Sequence, residues 1–349
     1  MSIATTRIEK QVKAFCALIG ADPLLVQGAG GNVSWKDGDA LWVKASGTWL
    51  AEAELKDIFV PVNLSLLQAA LSKYDFSVKP EVTSDSNLRP SIETLLHALM
   101  PHRVVVHLHA VEILAHLVQV NAKEKIKNLV GDSVKWIYVD YFKPGADLAR
   151  AVSEQLTNRF DADVVFLGNH GVVIGGRDVE EVDKTLTMLT TFLRSKSTSL
   201  SHNENYCIPM HSILEHGYTP VRNSKINQLA THEEFFSRLK HDWALYPDHV
   251  VFLGAKAAVI ESNNADINFD YILEYKPPFI FVFGQCVYKA NDVTAAQEAQ
   301  LHCYLVIMMR QNCKLILYSL SKHQIFELLT WDLEKYRQKA AKKNIVQKR

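Results

Sequence analysis

Ile8, Val12, Phe15 and Ile19 recur at helical spacing with Lys and Glu between them, which predicts an amphipathic surface helix at the start of the chain. The period then shortens to two. Val33, Trp35 and the run Leu41–Val43 flank the turn Lys36-Asp37-Gly38-Asp39, the pattern of a β-hairpin between two glycine-containing loops. A helical pattern resumes over 62–74, and a polar, Pro-containing stretch around 76–90 reads as a loop. RPSIETLLHALM then predicts a helix that Ser91 can cap, with Leu95, Leu96 and Leu99 on its buried face. VVVHLHA (104–110) reads as a strand and VEILAHLVQV as the helix after it. Lys135–Tyr141 reads as a strand, PGADLARAVSEQL as a helix with Pro144 near its start, and DADVVFLGNHGVVIGG as two strands around a turn. DVEEVDKTLTMLTTFLRSK closes the series as a long helix, and the alternation through residue 200 predicts a layered α/β domain.

A polar segment, Ser197–Asn205 (STSLSHNEN), marks the expected boundary between a domain over 1–205 and a smaller C-terminal α/β extension over 206–349. Beyond it, HVVFLGAKAAVIES and FIFVFGQCVYKAN each read as a strand pair, with helices over 292–310 and 324–341. FLGNHGVVIGGRDVEEVDKTLTML and FVFGQCVYKANDVTAAQEAQLHCY share one order: apolar strand, Gly turn, strand, Asp-Val, long helix. The second copy lacks the histidine, so the extension reads as a supporting, non-catalytic subdomain.

Composition adds bounds. The 349 residues are 48% hydrophobic and 22% charged with a formal net charge of zero, so nothing global points to nucleic acid or an anionic membrane. The basic tail Lys335–Arg349 reads as a frayed, solvated helix. No apolar run approaches the roughly 18 to 20 residues of a membrane span, and the N-terminus lacks the pattern of a signal peptide. A soluble, cytoplasmic protein is expected. Its five cysteines, Cys16, Cys207, Cys286, Cys303 and Cys313, are scattered and odd in number, which fits reduced thiols rather than a disulfide framework.

The chemistry begins in VVVHLHA. Alternate residues of a strand face one side, so His107 and His109 project together, about 6.5–7 Å apart at the backbone. Two imidazoles on one face make half of a zinc or similar divalent site, although the same pattern describes satisfied core histidines. His170 lies in a tight turn after an apolar strand, beside Gly171, and Glu93 lies in the first turn of the helix before the histidine pair. Three histidines and a carboxylate are the inventory of a catalytic zinc site, with three firm ligands and one position that can open. A carboxylate displaced by substrate serves as a general base beside the metal. His97 follows Glu93 at i+4, which suits either a partner behind the ligands or a partly exposed surface histidine. Gly28-Ala29-Gly30-Gly31-Asn32 and Ala45-Ser46-Gly47-Thr48 are glycine loops that either turn the chain or cradle an anion, and neither is a Walker or dinucleotide fingerprint.

Taken in order, GAGGNVS, SGTWL, PSIETLLH, HLHA, KPGADLA and NHGVVIGG resemble the class II aldolase/adducin family over roughly residues 5–200. The wording SIETLLHALMPH is most similar to the aldolase portion of bifunctional rhamnulose-phosphate aldolase/dehydrogenases, a likeness expected to extend into the segment from 247 (PDHVVFLG). The resemblance implies a three-layer α/β/α sandwich with a mixed, largely antiparallel sheet, assembled as a homo-oligomer, by resemblance a tetramer. It implies that His107, His109 and His170 bind Zn2+ or another divalent ion, and that Glu93 binds zinc at rest and acts as acid/base once substrate arrives. Gly31, Asn32, Ser46, Gly47 and Ser91 fall where the family holds the substrate phosphate. The implied reaction is reversible aldol cleavage of a ketose phosphate or related sugar through a metal-stabilised enediolate.

Two positions depart from the family. Ser91-Ile92-Glu93 stands where well-known sugar-phosphate members read Ser-Ser-Glu, and HLVQVNAKEK offers no tyrosine where a neighbouring subunit often supplies a proton. His116 or Tyr141 are the candidates to substitute. The same ligands also serve 4-epimerisation, sugar-acid decarboxylation and thiosugar-phosphate dehydration. A non-enzymatic, adducin-like interaction module is the remaining alternative, in a branch that loses the metal ligands this chain retains.

Overall fold

In the computed structural model, which describes residues 6–198, 209–261, 274–312 and 314–346, the chain divides into two compact units, Met1–Arg194 and Ser195–Arg349. Of the boundary segment expected at 197–205, residues 199–205 lie outside the described residues.

The first unit is built on seven strands: β1 (Asn32–Asp37), β2 (Ala40–Lys44), β3 (Phe59–Asn63), β4 (Val104–Leu108), β5 (Trp136–Val139), β6 (Val164–Leu167) and β7 (Gly171–Gly176). They lie in the order β3-β2-β1-β4-β7-β6-β5, antiparallel throughout except for the β5–β6 pair. Composition explains the order. β4 (Val-Val-Val-His-Leu) and β7 (Gly-Val-Val-Ile-Gly-Gly) are buried at every position, as central strands covered on both faces must be, whereas β5 alternates buried and half-buried residues at the sheet edge.

Helices cover both faces. α1 (Arg7–Gly20), α4 (Val111–Leu117), α5 (Ala122–Val130) and α7 (Val179–Phe192) pack with one another and against β1, β4 and β7. α2 (Leu64–Leu71), α3 (Thr94–Leu99) and α6 (Ala146–Asn158) form the other layer, against β2 and β5. The second layer closes a core in which Leu96, Leu148 and Val152 meet Val105, Val165 and Val173 from the sheet. This is the mixed, largely antiparallel α/β/α sandwich that the motifs imply.

In the second unit, β8 (Tyr218–Pro220), β9 (Ala258–Ile260), β10 (Phe279–Val282) and β11 (Val287–Ala290) form a sheet in the order β8-β11-β10-β9. Among the described residues its helices are α8 (His211–Leu214), α9 (Ser224–Thr231), α10 (Glu233–His241), α11 (Pro247–Leu253), α12 (Ala295–Met308), α13 (Lys322–Thr330) and α14 (Asp332–Val346). Trp243, Tyr246, His249 and Tyr304 pack edge-on in its core, where burial pushes His249 down to about 3. Arg337 anchors α14 by bridging buried Asp248 and Glu334, each at 2.9 Å. No helix among the described residues is long and apolar enough to cross a membrane.

Several local expectations are corrected. HVVFLG belongs to α11 rather than to a strand: Pro247 starts the helix, and burial on every side erases the helical period. Strand β3 precedes α2, which begins at Leu64 because the Asn63 side chain accepts the Leu66 N–H at 2.9 Å. The helix expected over 324–341 is interrupted at Trp331, which is extended. Ser91 does not cap α3: the helix starts at Thr94, and the Ser91 hydroxyl accepts from the Glu93 N–H instead, at 3.2 Å. Among the cysteines, Cys16 and Cys303 are free and buried, but Cys286 is disulfide-bonded, against the expectation of reduced thiols. Thiol pairing follows tertiary proximity, which irregular spacing along the chain does not reveal. Cys207 and Cys313 lie outside the described residues.

Candidate metal centre

Strand β4 lies in the middle of the sheet, so His107 is flanked by Asn32 on β1 and by Val173 on β7. Its Nδ1 is 3.2 Å from the Val172 carbonyl oxygen. A carbonyl only accepts, so the ring proton sits on Nδ1 and the Nε2 lone pair faces the cluster. His109 lies one residue past the end of β4 and brings its own Nε2 to 3.2 Å from that of His107.

His170 arrives from the β6–β7 turn. Asn169 takes the left-handed backbone region (φ 53°), which asparagine tolerates better than most residues. At Gly171 a Cβ would stand 2.4 Å from the Leu108 carbonyl oxygen, so only glycine lets the turn close onto β4 and present His170 to the pair. The ligand atoms of His107, His109 and His170 all lie within 4.8 Å of one another, and all three residues are buried.

Glu93 precedes α3 and points the same way. Its Oε2 is 3.4 Å from His107 Nε2 and its Oε1 is 3.3 Å from His170 Nε2. The Asn32 amide donates to Oε2 at 2.7 Å and fixes the carboxylate. These separations test the fit to a metal. Tetrahedral nitrogen and oxygen ligands at zinc distances stand about 3.3–3.4 Å apart. The spacings of 3.2, 3.3 and 3.4 Å match that edge, and the donor set of three imidazoles and a carboxylate suits zinc.

His97 is fully buried, so the surface alternative falls away. Its Nδ1 lies 2.8 Å from the Ser34 hydroxyl, on the strand that also carries Asn32. Burial lowers its basicity to about 3, with His107 and Lys36 adding to the effect. The i+4 spacing from Glu93 gave the helix face but not the depth. Ser34 closes the GAGGNVS motif but was given no role there, and its signal was alternation, two residues after Asn32.

The anion-loop residues are drawn together nearby. Gly31 adopts φ 67°, and a Cβ there would meet the His107 carbonyl oxygen at 3.1 Å. Ser46 N donates to Arg89 O at 2.8 Å and Ser91 N to Lys44 O at 3.1 Å, which sets Ser46, Gly47 and Ser91 on adjacent segments. The Asn32 side chain is engaged by Glu93 rather than left to the loop. Lys44 is a residue the motifs missed: it is buried at the end of β2, and a lysine in an apolar strand was its only sequence signal. Of the proposed proton donors, His116 has its Nε2 2.9 Å from Leu193 O, and burial lowers its basicity. Tyr141 follows β5, its main chain passing close to Gly168 in the turn that carries His170.

Residues 10–195 match the family described as Class II Aldolase and Adducin N-terminal domain. A Bacillus subtilis (strain 168) protein named Uncharacterized oxidoreductase YuxG is 29% identical over 189 residues, 49% of this chain and 27% of that protein. The chain thus spans about a quarter of that relative's length. The L-fuculose phosphate aldolase of Methanococcus maripaludis is 31% identical over 166 residues, 46% of this chain and 80% of the aldolase. Among solved structures, the N-terminal class II aldolase domain of a conserved protein from Thermoplasma acidophilum is similar at 25% identity and a TM-score of 0.46, covering 55% of this chain and 94% of that one.

Proposed function

We propose, on the premise that the chain belongs to the class II aldolase and adducin family, that it is a zinc-dependent lyase cleaving a ketose phosphate or related sugar by a reversible retro-aldol reaction. The observation that carries this reading is the convergence of His107, His109 and His170 with the Glu93 carboxylate in one buried cluster. An interaction module has no use for such a set. L-fuculose phosphate aldolase among the relatives supports the substrate class. The SIETLLHALMPH wording, together with a relative named as an oxidoreductase, supports a place in the rhamnulose-phosphate aldolase/dehydrogenase branch. A tetramer is the assembly we expect.

His107, His109 and His170 would hold the ion. Bound there, a divalent metal supplies Lewis acidity to the substrate carbonyl and stabilises the negative charge left by C–C scission. Glu93, oriented by Asn32, takes the proton of the hydroxyl on the departing carbon. That O–H electron pair becomes the aldehyde carbonyl, and the C–C pair passes to the carbon beside the ketone. Return of the proton to this carbon completes the cleavage. The Gly31 and Gly47 N–H groups, with the Ser46 and Ser91 hydroxyls, would hold the phosphate, away from the reacting bond.

The test begins with elemental analysis, which we expect to give about one zinc per chain. A panel of ketose 1-phosphates, sugar acids and ulose 5-phosphates then reads cleavage, CO2 release, epimerisation and dehydration separately. Glu93→Ala should keep the fold and most metal affinity while turnover falls roughly 10²–10⁴-fold. Near wild-type rates in that variant would show that Glu93 is not the acid/base, and failure to take up any divalent metal would remove the lyase reading.

A further inference from the structure

Asn32, Ser34 and Lys36 alternate onto one face of β1, and each bonds to a different point along the segment that carries α3. The Asn32 amide donates to the Glu93 carboxylate at 2.7 Å, the Ser34 hydroxyl lies 2.8 Å from His97 Nδ1, and the Lys36 ammonium donates to the Met100 carbonyl. The two elements keep step. Two strand residues rise about 6.6 Å and four helical residues roughly 6 Å, so alternate positions of β1 meet Glu93 and His97 in turn. The middle rung, Ser34 to His97, is fully buried at both ends. Apolar packing alone does not account for it. α3 has only six residues, too few to persist by its own hydrogen bonds, and it packs through Leu96 and Met100 in one apolar cluster and Leu95 and Ala98 in another. Those contacts press the helix onto the sheet without direction, whereas hydrogen bonds at a fixed spacing add register. His97 Nε2 has no hydrogen-bond partner among the described residues, so a leucine would be cheaper to bury there. What the imidazole adds, it adds through Nδ1.

We propose that His97 is a positioning residue for the Glu93 carboxylate: the Ser34–His97 rung sets where α3 stands along β1, and so where Glu93 stands against His107 and His170. This rests on the metal-centred role given to Glu93 above. Glu93 precedes α3 without capping it, and its carbonyl accepts the His97 N–H at 3.3 Å. A slide of the helix therefore carries Glu93 with it. The carboxylate oxygens stand 3.3 and 3.4 Å from two histidine nitrogens, a spacing that a slide of even one ångström would spoil. His97 itself reaches neither carboxylate oxygen by a hydrogen bond and relays no proton to Glu93. Its effect passes through the backbone of α3.

Cobalt(II) bound to the full chain in place of zinc tests this, because its visible absorption senses the geometry and identity of its ligands. Glu93→Gln supplies the reference spectrum of a lost carboxylate. His97→Leu should still take up about one cobalt per chain, and its spectrum should shift from wild type toward that reference. His97→Asn, which sets an amide atom where Nδ1 stands, should restore the wild-type spectrum. Ser34→Ala should shift it as His97→Leu does, and the double variant no further than either alone. Three outcomes overturn the role: a wild-type spectrum in His97→Leu while Glu93→Gln differs, equal shifts in His97→Leu and His97→Asn, or additive shifts in the double variant. Should His97→Leu fail to fold, Ser34→Ala decides, since it removes only a hydroxyl, and an unshifted spectrum there overturns the role. The metal-centred reading of Glu93 fails by a different result, no cobalt uptake by the wild type or a Glu93→Gln spectrum identical to it, and the role of His97 falls with that reading.

Discussion

The stretch from β4 to α7 and the stretch from β8 to α12 follow the same connectivity. In the first, β4 pairs antiparallel with β7, β7 antiparallel with β6, and β6 parallel with β5. In the second, β8 pairs antiparallel with β11, β11 antiparallel with β10, and β10 parallel with β9. Both hairpins lead through Asp-Val into a capped 14-residue helix, with Asp178 as the cap in one and Thr294 in the other. The chemistry differs completely. Where β4 carries His107, β8 reads Tyr-Thr-Pro, and where the first hairpin turns on Gly168-Asn169-His170, the second turns on Phe283-Gly284-Gln285-Cys286. A shared path supplies a rigid platform, and the side chains at its turn and strand end decide whether ligands converge.

The largest contrast should come from the turns themselves. His170→Ala should lower metal affinity at least about 100-fold and abolish turnover, while Gln285→Ala leaves both within about twofold. Metal content and activity of the two variants would break the comparison if they moved together. A smaller contrast separates the glycines. Gly171→Ala pushes a Cβ into the Leu108 carbonyl and should cost roughly 1–3 kcal/mol along with metal affinity. Gly284→Ala faces open space at φ 71° and should cost only about 1–2 kcal/mol of backbone strain, with metal binding untouched. Thermal unfolding with and without zinc reads both.

The smallest effect concerns pH. Burial holds His249 at about 3, below its ordinary value of 6.5, so the unfolded chain takes up the proton first. The stability present above pH 6.5 is therefore lost progressively as pH falls from 6.5 toward 3. His249→Phe should flatten that acid slope in calorimetry of the intact chain, and an unchanged slope would place the acid sensitivity elsewhere.

The candidate histidine cluster was legible in the sequence because strand alternation and a glycine turn are local: His107, His109 and His170 each sit on a spacing that a backbone rule turns into direction, whereas Glu93, expected in the first turn of α3, precedes that helix. The supports were not. His97 and Ser34 are 63 residues apart, and whether that histidine is buried depends on a sheet that no local pattern describes. Lys44 reads as a polar residue at a strand end until the loops fold over it. Strand β3 was hidden because FVPVN runs directly into a helix, and α11 because burial on all sides leaves no apolar face to read. Order and direction were readable, while depth and long-range partnership were not.

The middle position of β4 has a further consequence for the chain as it leaves the ribosome. Strands β1 to β3 form a meander on one side of β4, and β5 to β7 complete the sheet on the other. His107 and His109 are translated 61 or more residues before His170, which reaches them only once β7 has docked. A nascent or truncated chain that stops before that point offers two imidazoles and no turn to complete the set, so it holds metal weakly. If the cluster holds metal as proposed, tight retention would report that both halves of the sheet have met, and zinc added during refolding should favour the finished sheet over partly folded forms by mass action.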